Sequence, residues 1–273
     1  MTAAPAFRTR YGPLAVVLGG SEGIGREFAA QLAARGLGLV LLARRADSLA
    51  SAAADIRAAY GVPVITRTVD LAAPGGVAEL AQELCAAHEI GLLVCNAGAT
   101  HGAGAFLDEP LAKALALVQL NCLSVLSFAH PLLAAMRRRG RGGMIVMSSN
   151  SGLSGSALIA TYAAVKAFEI SWCEGLHAEA AAAGVDVLCA VAGLTDTPAM
   201  RRSGLSFSAA AEHGFVAMPA EEVARGALEH LGHGALWYAV GAQAAAALRA
   251  MPRDQLVTSM TQAAAALYNI PWR

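Results

Sequence analysis

Short, continuous apolar runs alternate with longer amphipathic stretches along most of the chain. The runs Leu14 to Leu18, Gly38 to Ala43, Pro63 to Val69, Leu92 to Cys95, Gly143 to Ser148, Val185 to Val191 and Leu236 to Val240 are predicted strands. Most lack the strict alternation of a half-exposed strand, and that is the pattern of strands covered by helices on both faces. Helices are predicted to begin near Gly23, Asp47, Pro74, Glu109, Thr161 and Pro219, several behind a Pro or Asp start signal. Strands alternating with helices predict an α/β fold with a doubly wound, seven-stranded parallel sheet flanked by helices on both faces.

Two segments break this rhythm. Residues 194–218 scatter Ser, Gly and Pro through an otherwise apolar stretch, which predicts a mobile insertion at the carboxyl edge of the sheet, where a substrate lid would sit. Residues 241–273 are rich in Ala, are broken at Pro252 and predict a helical C-terminal tail covering the core or a partner subunit. No internal repeat or interdomain linker is visible, so residues 1–273 read as one domain.

Composition narrows the classes of partner. Only 15% of the residues are charged, with 20 basic against 20 acidic, which leaves no electrostatic footprint for a nucleic acid or an anionic membrane. Neutral small molecules are the expected partners. The apolar excess is largely alanine, and the most hydrophobic windows are expected to break at Gly, Arg or Gln before about 18 residues accumulate, so no membrane span is predicted. Arg8 and Arg10 ahead of Pro13 to Leu18 imitate a leader, but the continuation reads as a phosphate-binding turn, so the segment is assigned to a buried strand. Five cysteines without a Cys-x-x-Cys spacing predict reduced core thiols and a cytoplasmic protein.

Candidate chemistry begins at that turn. Gly19, Gly23 and Gly25 follow the first strand and open the first helix, so backbone amides there can meet a pyrophosphate. The spacing G-x-x-x-G-x-G differs from the usual dinucleotide fingerprint, and glycines also make ordinary turns. The second strand ends in Ala43-Arg44-Arg45 where an NAD site normally has an acid. A guanidinium can make charge-assisted bonds to a 2′-phosphate, which favours NADP(H) over NAD(H). A basic pair in a solvated loop would look the same, and Glu22 adds negative charge near that phosphate.

The chain has two lysines, and Lys166 lies four residues after Tyr162, one helical turn along the same face. An ammonium there stabilises a phenolate and draws its pKa down. Ser149 lies 13 residues before Tyr162, just past the fifth strand, where a strand end and a helix can bring two hydroxyls to one carbonyl oxygen.

Together with Asn96-Ala97-Gly98 after the fourth strand and Asn121 in the long fourth helix, these motifs resemble the short-chain dehydrogenases/reductases from about Leu14 to Val240. The resemblance implies a Rossmann-type domain and hydride chemistry. It implies Tyr162 as proton donor or acceptor, Lys166 as the group that lowers the tyrosine pKa and binds ribose, and Ser149 as the hydrogen-bond donor to the carbonyl. Asn121 would hold a water linking Lys166 to solvent. Gly19, Ser21, Gly23, Ile24, Gly25, Arg44, Arg45, Asp70, Leu71, Asn96, Ala97, Gly98, Tyr162, Lys166 and Thr197 would contact the cofactor. Three positions depart from the family pattern: Leu18 for Thr, Cys95 for Asn and Ala192 for Pro. The missing Thr puts one hydrogen bond between the first turn and the Asn-Ala-Gly segment in question.

The leading expectation is an NADP(H)-dependent reductase of a bulky, mainly apolar ketone, or a dehydrogenase of the alcohol, forming a homodimer or homotetramer. The resemblance implies assembly through the long fourth and fifth helices, roughly residues 109–139 and 161–183, and the apolar stripe of Leu115, Val118, Cys122, Val125 and Phe128 agrees with it. Alternatives are reduction of an imine or an activated C=C bond, ring closure, and a non-catalytic dinucleotide sensor. Arg201-Arg202 in the lid could instead meet a thioester's phosphate. No metal is expected: His230 and His233 lack a third ligand nearby. Arg137 to Arg141 reads as a helix terminus, and His101 as a pocket-mouth or solvated loop residue.

Overall fold

The structure, a computed structural model, describes residues 4–98 and 102–272; His101 lies outside the described residues. The chain opens with a helix that the strand and helix pattern did not predict, α1 (Ala4–Tyr11). It then alternates β1 (Leu14–Leu18), α2 (Gly23–Ala34), β2 (Gly38–Ala43), α3 (Ala46–Tyr60), β3 (Val64–Thr68), α4 (Val77–Ala87) and β4 (Ile90–Cys95). Next come α5 (Leu111–Val118), a π-helical turn over Gln119–Leu123, α6 (Ser124–Arg139), β5 (Gly142–Ser149), α7 (Ala160–Ala181) and β6 (Val185–Ala192). Two short strands, β7 (Thr195–Asp196) and β8 (Met218–Pro219), bracket the helices α8 (Pro198–Arg202) and α9 (Phe207–Glu212). The chain ends with α10 (Ala220–His230), β9 (Leu236–Tyr238), α11 (Ala242–Ala250) and α12 (Arg253–Leu267).

The main sheet has seven strands, all parallel, in the order β3-β2-β1-β4-β5-β6-β9. Two apolar layers cover it. One takes Phe28 and Leu32 of α2, Leu49 and Ile56 of α3 and Val223 of α10; the other takes Leu84 of α4, Phe128 and Leu132 of α6 and Ile170 of α7. Every residue of β2 and β4 is buried, as continuous apolar runs require. Strand order reverses between β1 and β4, and such a reversal opens a crevice beyond the carboxyl ends of the two strands.

Helix α1 caps the opposite, amino edge. Tyr11 donates to Asp186 at 2.6 Å, and Arg10 pairs with the same carboxylate at 2.5 and 2.8 Å. The basic run after α6 serves this edge too: Gly140 turns left-handed at φ 70°, and Arg141 donates to the carbonyls of Thr9 and Gly12 at 3.1 and 2.9 Å.

One expectation needs correction. The continuous helix Leu111–Arg139 is, by length and composition, apolar enough to cross a membrane, and one third of its most apolar window is buried. Its charges cluster at the ends, so no Gly or Arg interrupts the middle. Val125, Phe128, Ala129 and Leu132 account for the apolar character of its second half, because they pack into the core. Four of the five free cysteines are buried, in accord with core thiols.

Segment 194–218 is tied at both ends. β7 and β8 pair in parallel, and Met218 N donates to Leu194 O at 2.9 Å. The tail lies on this chain's own segments: α12 packs against α9, Ser206 N donates to Leu267 O at 2.9 Å, and Ala157 N donates to Thr261 Oγ1 at 3.0 Å.

Candidate active site

A cleft of about 600 Å³ opens where the strand order reverses. Fifteen of the residues expected to bind cofactor or act in catalysis line it: Gly19, Ser21, Gly23, Ile24, Arg44, Arg45, Asp70, Leu71, Asn96, Ala97, Gly98, Ser149, Tyr162, Lys166 and Thr197. Gly25 and Asn121 do not.

Gly25 lies beneath the turn instead. A Cβ built on it would stand 2.0 Å from the Gly19 carbonyl oxygen and 2.5 Å from Asn96 Nδ2, so the packing there admits no side chain. Gly19 (φ +80°) and Gly23 (φ +54°) need the left-handed region, and a Cβ on Gly23 would come within 3.1 Å of the Thr197 side chain. Asn96 Nδ2 donates to Gly19 O at 3.3 Å, which ties the first turn to the Asn-Ala-Gly segment although Leu18 stands in place of Thr.

The catalytic candidates meet at the other end of the cleft. Ser149 ends β5 and accepts from Ser151 N at 3.2 Å. Tyr162 and Lys166 sit on the first turns of α7, with Lys166 Nζ 5.8 Å from the Tyr162 ring centre. Asn121 falls in the π-helical turn, fully buried; its Nδ2 donates to Leu117 O at 2.9 Å, and its Oδ1 has no partner among the described residues. A Cβ on Gly98 would lie 2.9 Å from Asn121 Oδ1 and 3.2 Å from Lys166 Nζ, so the Gly at that position lets both groups converge. Leu158, just before α7, holds a positive φ of 66°, unusual for a bulky residue, and its carbonyl accepts from Gly104 N.

Sequence reasoning missed Glu169. Lys166 Nζ donates to its Oε1 at 3.0 Å and to Met147 O at 2.9 Å, and the ion pair is almost wholly buried. A Lys-x-x-Glu spacing on the face that carries Tyr162 was the available signal, but such pairs usually sit in solvent. Burial pushes the Tyr162 phenol up, Lys166 and Ser149 pull it down, and Glu169 adds to the rise; the net direction is upward. The lowering expected from Lys166 is therefore present but outweighed. Burial lowers the Lys166 ammonium, and Glu169 and Tyr162 raise it to a net increase.

The mouth of the cleft carries a second charge cluster. Glu22 accepts from Arg45 at 2.5 Å on one side and from Arg202 of α8 on the other. Partial burial pushes the Glu22 carboxyl up, and the two guanidinium groups outweigh it to hold it below the usual range. Arg44 is exposed and has no ion pair among the described residues. Arg201 pairs with Asp196 at 2.5 Å and lies over the Phe207 ring.

With this geometry, the chain matches the family model described as short chain dehydrogenase over residues 13–205. The chain belongs to the short-chain dehydrogenase family. A very-long-chain 3-oxoacyl-CoA reductase of Phaeosphaeria nodorum is 33% identical over 197 residues, 68% of this chain and 56% of that protein; the chain thus spans little more than half the length of this relative. A structure from work on 7beta-hydroxysteroid dehydrogenase stereoselectivity superposes with a TM-score of 0.83 at 27% identity, covering 93% of this chain and 98% of the other. A short-chain dehydrogenase from Sphingobium yanoikuyae in complex with NADPH gives a TM-score of 0.77 at 27% identity, covering 83% and 87%.

The family is one of oxidoreductases, and the cleft fits a dinucleotide: a glycine-rich turn, the exposed Arg44 guanidinium at the mouth and a buried ammonium at the far end. Gly25→Ala forces a methyl into the space of the Gly19 carbonyl, and overpacking of this kind costs about 1–3 kcal/mol. The expected outcome is a folded chain of lower melting temperature; scanning calorimetry checks this, and an unchanged melting temperature refutes the packing role.

Proposed function

We propose that the protein is an NADP(H)-dependent oxidoreductase acting on the carbonyl group, or the secondary alcohol, of a bulky and mainly apolar substrate. One observation carries this reading: Tyr162 lines the dinucleotide-sized cleft and also a smaller cavity of about 60 Å³ that includes Phe106, Leu117, Leu158 and Ile159. The phenol thus stands between a cofactor side and an apolar side.

In that arrangement the Tyr162 hydroxyl gives its proton to the carbonyl oxygen, and the Ser149 hydroxyl donates a hydrogen bond to the same oxygen as negative charge develops. Lys166 stabilises the phenolate left behind and offers a proton to a ribose hydroxyl. Asn121 Oδ1, buried and free to accept, holds a water behind Lys166. The reduced nicotinamide, when bound, supplies the hydride to the carbonyl carbon. Arg44, with Arg45 behind it, meets the 2′-phosphate.

The lid favours a free ketone over a coenzyme A thioester. Arg201 and Arg202 are engaged by Asp196 and Glu22, so neither guanidinium is poised for a thioester's phosphates. Among the apolar residues of the neighbouring segments, Leu158, Ile159 and Met200 line cavities, whereas Leu205 is buried and Val216 is 85% exposed. We further propose a homodimer or homotetramer through α5 and α6. Cys122, Val125 and Phe128 of the predicted stripe pack inward, but Leu111 (63%), Leu115 (60%) and Leu123 (47%) stand exposed on one helix, the kind of apolar face a second copy covers.

Wild-type protein is expected to reduce cyclic or aromatic ketones with NADPH at higher kcat/KM than matched thioesters. Tyr162→Phe should lower kcat at least about 100-fold with little change in NADPH affinity; a variant that keeps most of its kcat refutes the acid–base role. Arg44→Ala should weaken NADPH about tenfold and NADH hardly at all, and equal losses in fluorescence titration would make Arg44 a general contact. Light scattering should give a dimer or tetramer mass at micromolar concentration; a monomer mass rejects the assembly.

A further inference from the structure

Lys166 is 4% exposed, and Glu169, one turn further along α7, is 2% exposed. Nζ stands 3.0 Å from both carboxylate oxygens, while Oε2 accepts no hydrogen bond among the described residues. A buried ion pair with an unsatisfied oxygen is a poor stabiliser; apolar side chains of the same volume usually serve a core as well or better. Its position beside the reactive phenol, rather than elsewhere in the core, directs attention to the acid–base chemistry.

The geometry points to Glu169 as a positioning residue for the Tyr162–Lys166 pair: its carboxylate neutralises the Lys166 ammonium and keeps the Tyr162 hydroxyl protonated, the form that donates to a carbonyl oxygen. This inference rests on Tyr162 as the proton donor proposed above. The groups facing the pair are Tyr162, Lys166 and Cys173 on α7, Cys95 on β4, Cys122 in the π-helical turn, Cys189 on β6 and Tyr268 after α12. Burial raises the thiols of Cys95 and Cys122, and the Glu169 charge adds to that rise. Burial sets the upward direction at the phenol, Lys166 and the Ser149 hydroxyl oppose it, and the Glu169 carboxylate offsets part of the Lys166 effect. Burial pushes the Glu169 carboxyl itself up to about 7 against the pull of Lys166, so the offset is present above that pH. With the carboxylate gone, the ammonium favours the phenolate more strongly, so the phenol pKa falls.

The test follows phenolate absorbance against pH in the full chain without cofactor, and subtracting the Tyr162→Phe protein in each background isolates one phenol of the five. Glu169→Gln, isosteric and still an acceptor for Nζ, is expected to lower the Tyr162 pKa by about one to two pH units. Glu169→Asp, which keeps the charge, is expected to stay near wild type. A purely structural role would lower the melting temperature in Glu169→Gln without moving the phenol, and that result overturns the inference. Should Glu169→Gln not fold, Glu169→Met takes its place: an uncharged side chain of the same length is expected to lower the phenol pKa likewise, and an unmoved phenol in that variant overturns the inference. In kinetics, the rising limb of kcat/KM for alcohol oxidation with NADP⁺ shifts to lower pH by the same interval in Glu169→Gln. Absence of turnover in wild type would defeat the reductase reading, while the spectroscopic titration still decides the role of Glu169.

Discussion

A backbone approach with no room for one methyl group holds the first turn against the fourth strand. Gly25 packs directly under the Gly19 carbonyl, and the Asn96 amide reaches that same oxygen from the end of β4. This contact lies where the strand order reverses, so the crevice that parallel topology opens is also the place where backbone amides come forward without side chains in front of them. Asn96, Ala97 and Gly98 take their places from it. Gly98 in turn leaves space for the Asn121 and Lys166 side chains to approach each other, which links the glycine turn to the Lys166 end of the cleft.

Electrostatically the cleft has two ends of different character. At its mouth Glu22 bridges Arg45 and Arg202, partly exposed groups whose pairing is screened by water and salt. At its base Lys166 and Glu169 face each other out of water, where breaking the pair would leave an uncompensated buried charge. The outer cluster is therefore sensitive to salt, and the inner pair is a fixed field around Tyr162.

The segment between β7 and β8 joins these ends. Thr197 caps α8 by accepting from Met200 N at 3.2 Å and lies over Gly23, while Arg202 from the same helix reaches Glu22. Behind it, α12 supports α9 and holds the turn ahead of α7 through Thr261. The C-terminal tail therefore touches both the segment between β7 and β8 and the loop that carries Leu158, and Tyr268 contributes to the field at Tyr162.

How much of this was legible in the chain follows from the range of each interaction. Period and continuity of apolar residues are local properties, so all seven main-sheet strands were found within a few residues, as were the starts of the helices between them. The glycine turn, Ser149 and the Tyr162/Lys166 spacing were readable because their chemistry requires those residue types at fixed offsets from strand ends and helix turns. Helix α1 was not, since its eight residues carry little amphipathic pattern and are fixed by Asp186, far along the chain. Glu169 was invisible for a related reason: an acid three residues after a lysine is a solvated pair on most helices, and only the packing of α7 against β5 and β6 removes its water. The close packing of Gly25 was not readable either, because it depends on how the turn and Asn96 close around it. Sequence by itself determined which residues are chemically able to act and on which elements they ride; tertiary structure decided which of them share a cleft, which lie beneath it, and which charges are stripped of solvent, because dehydration and close approach depend on segments distant in sequence.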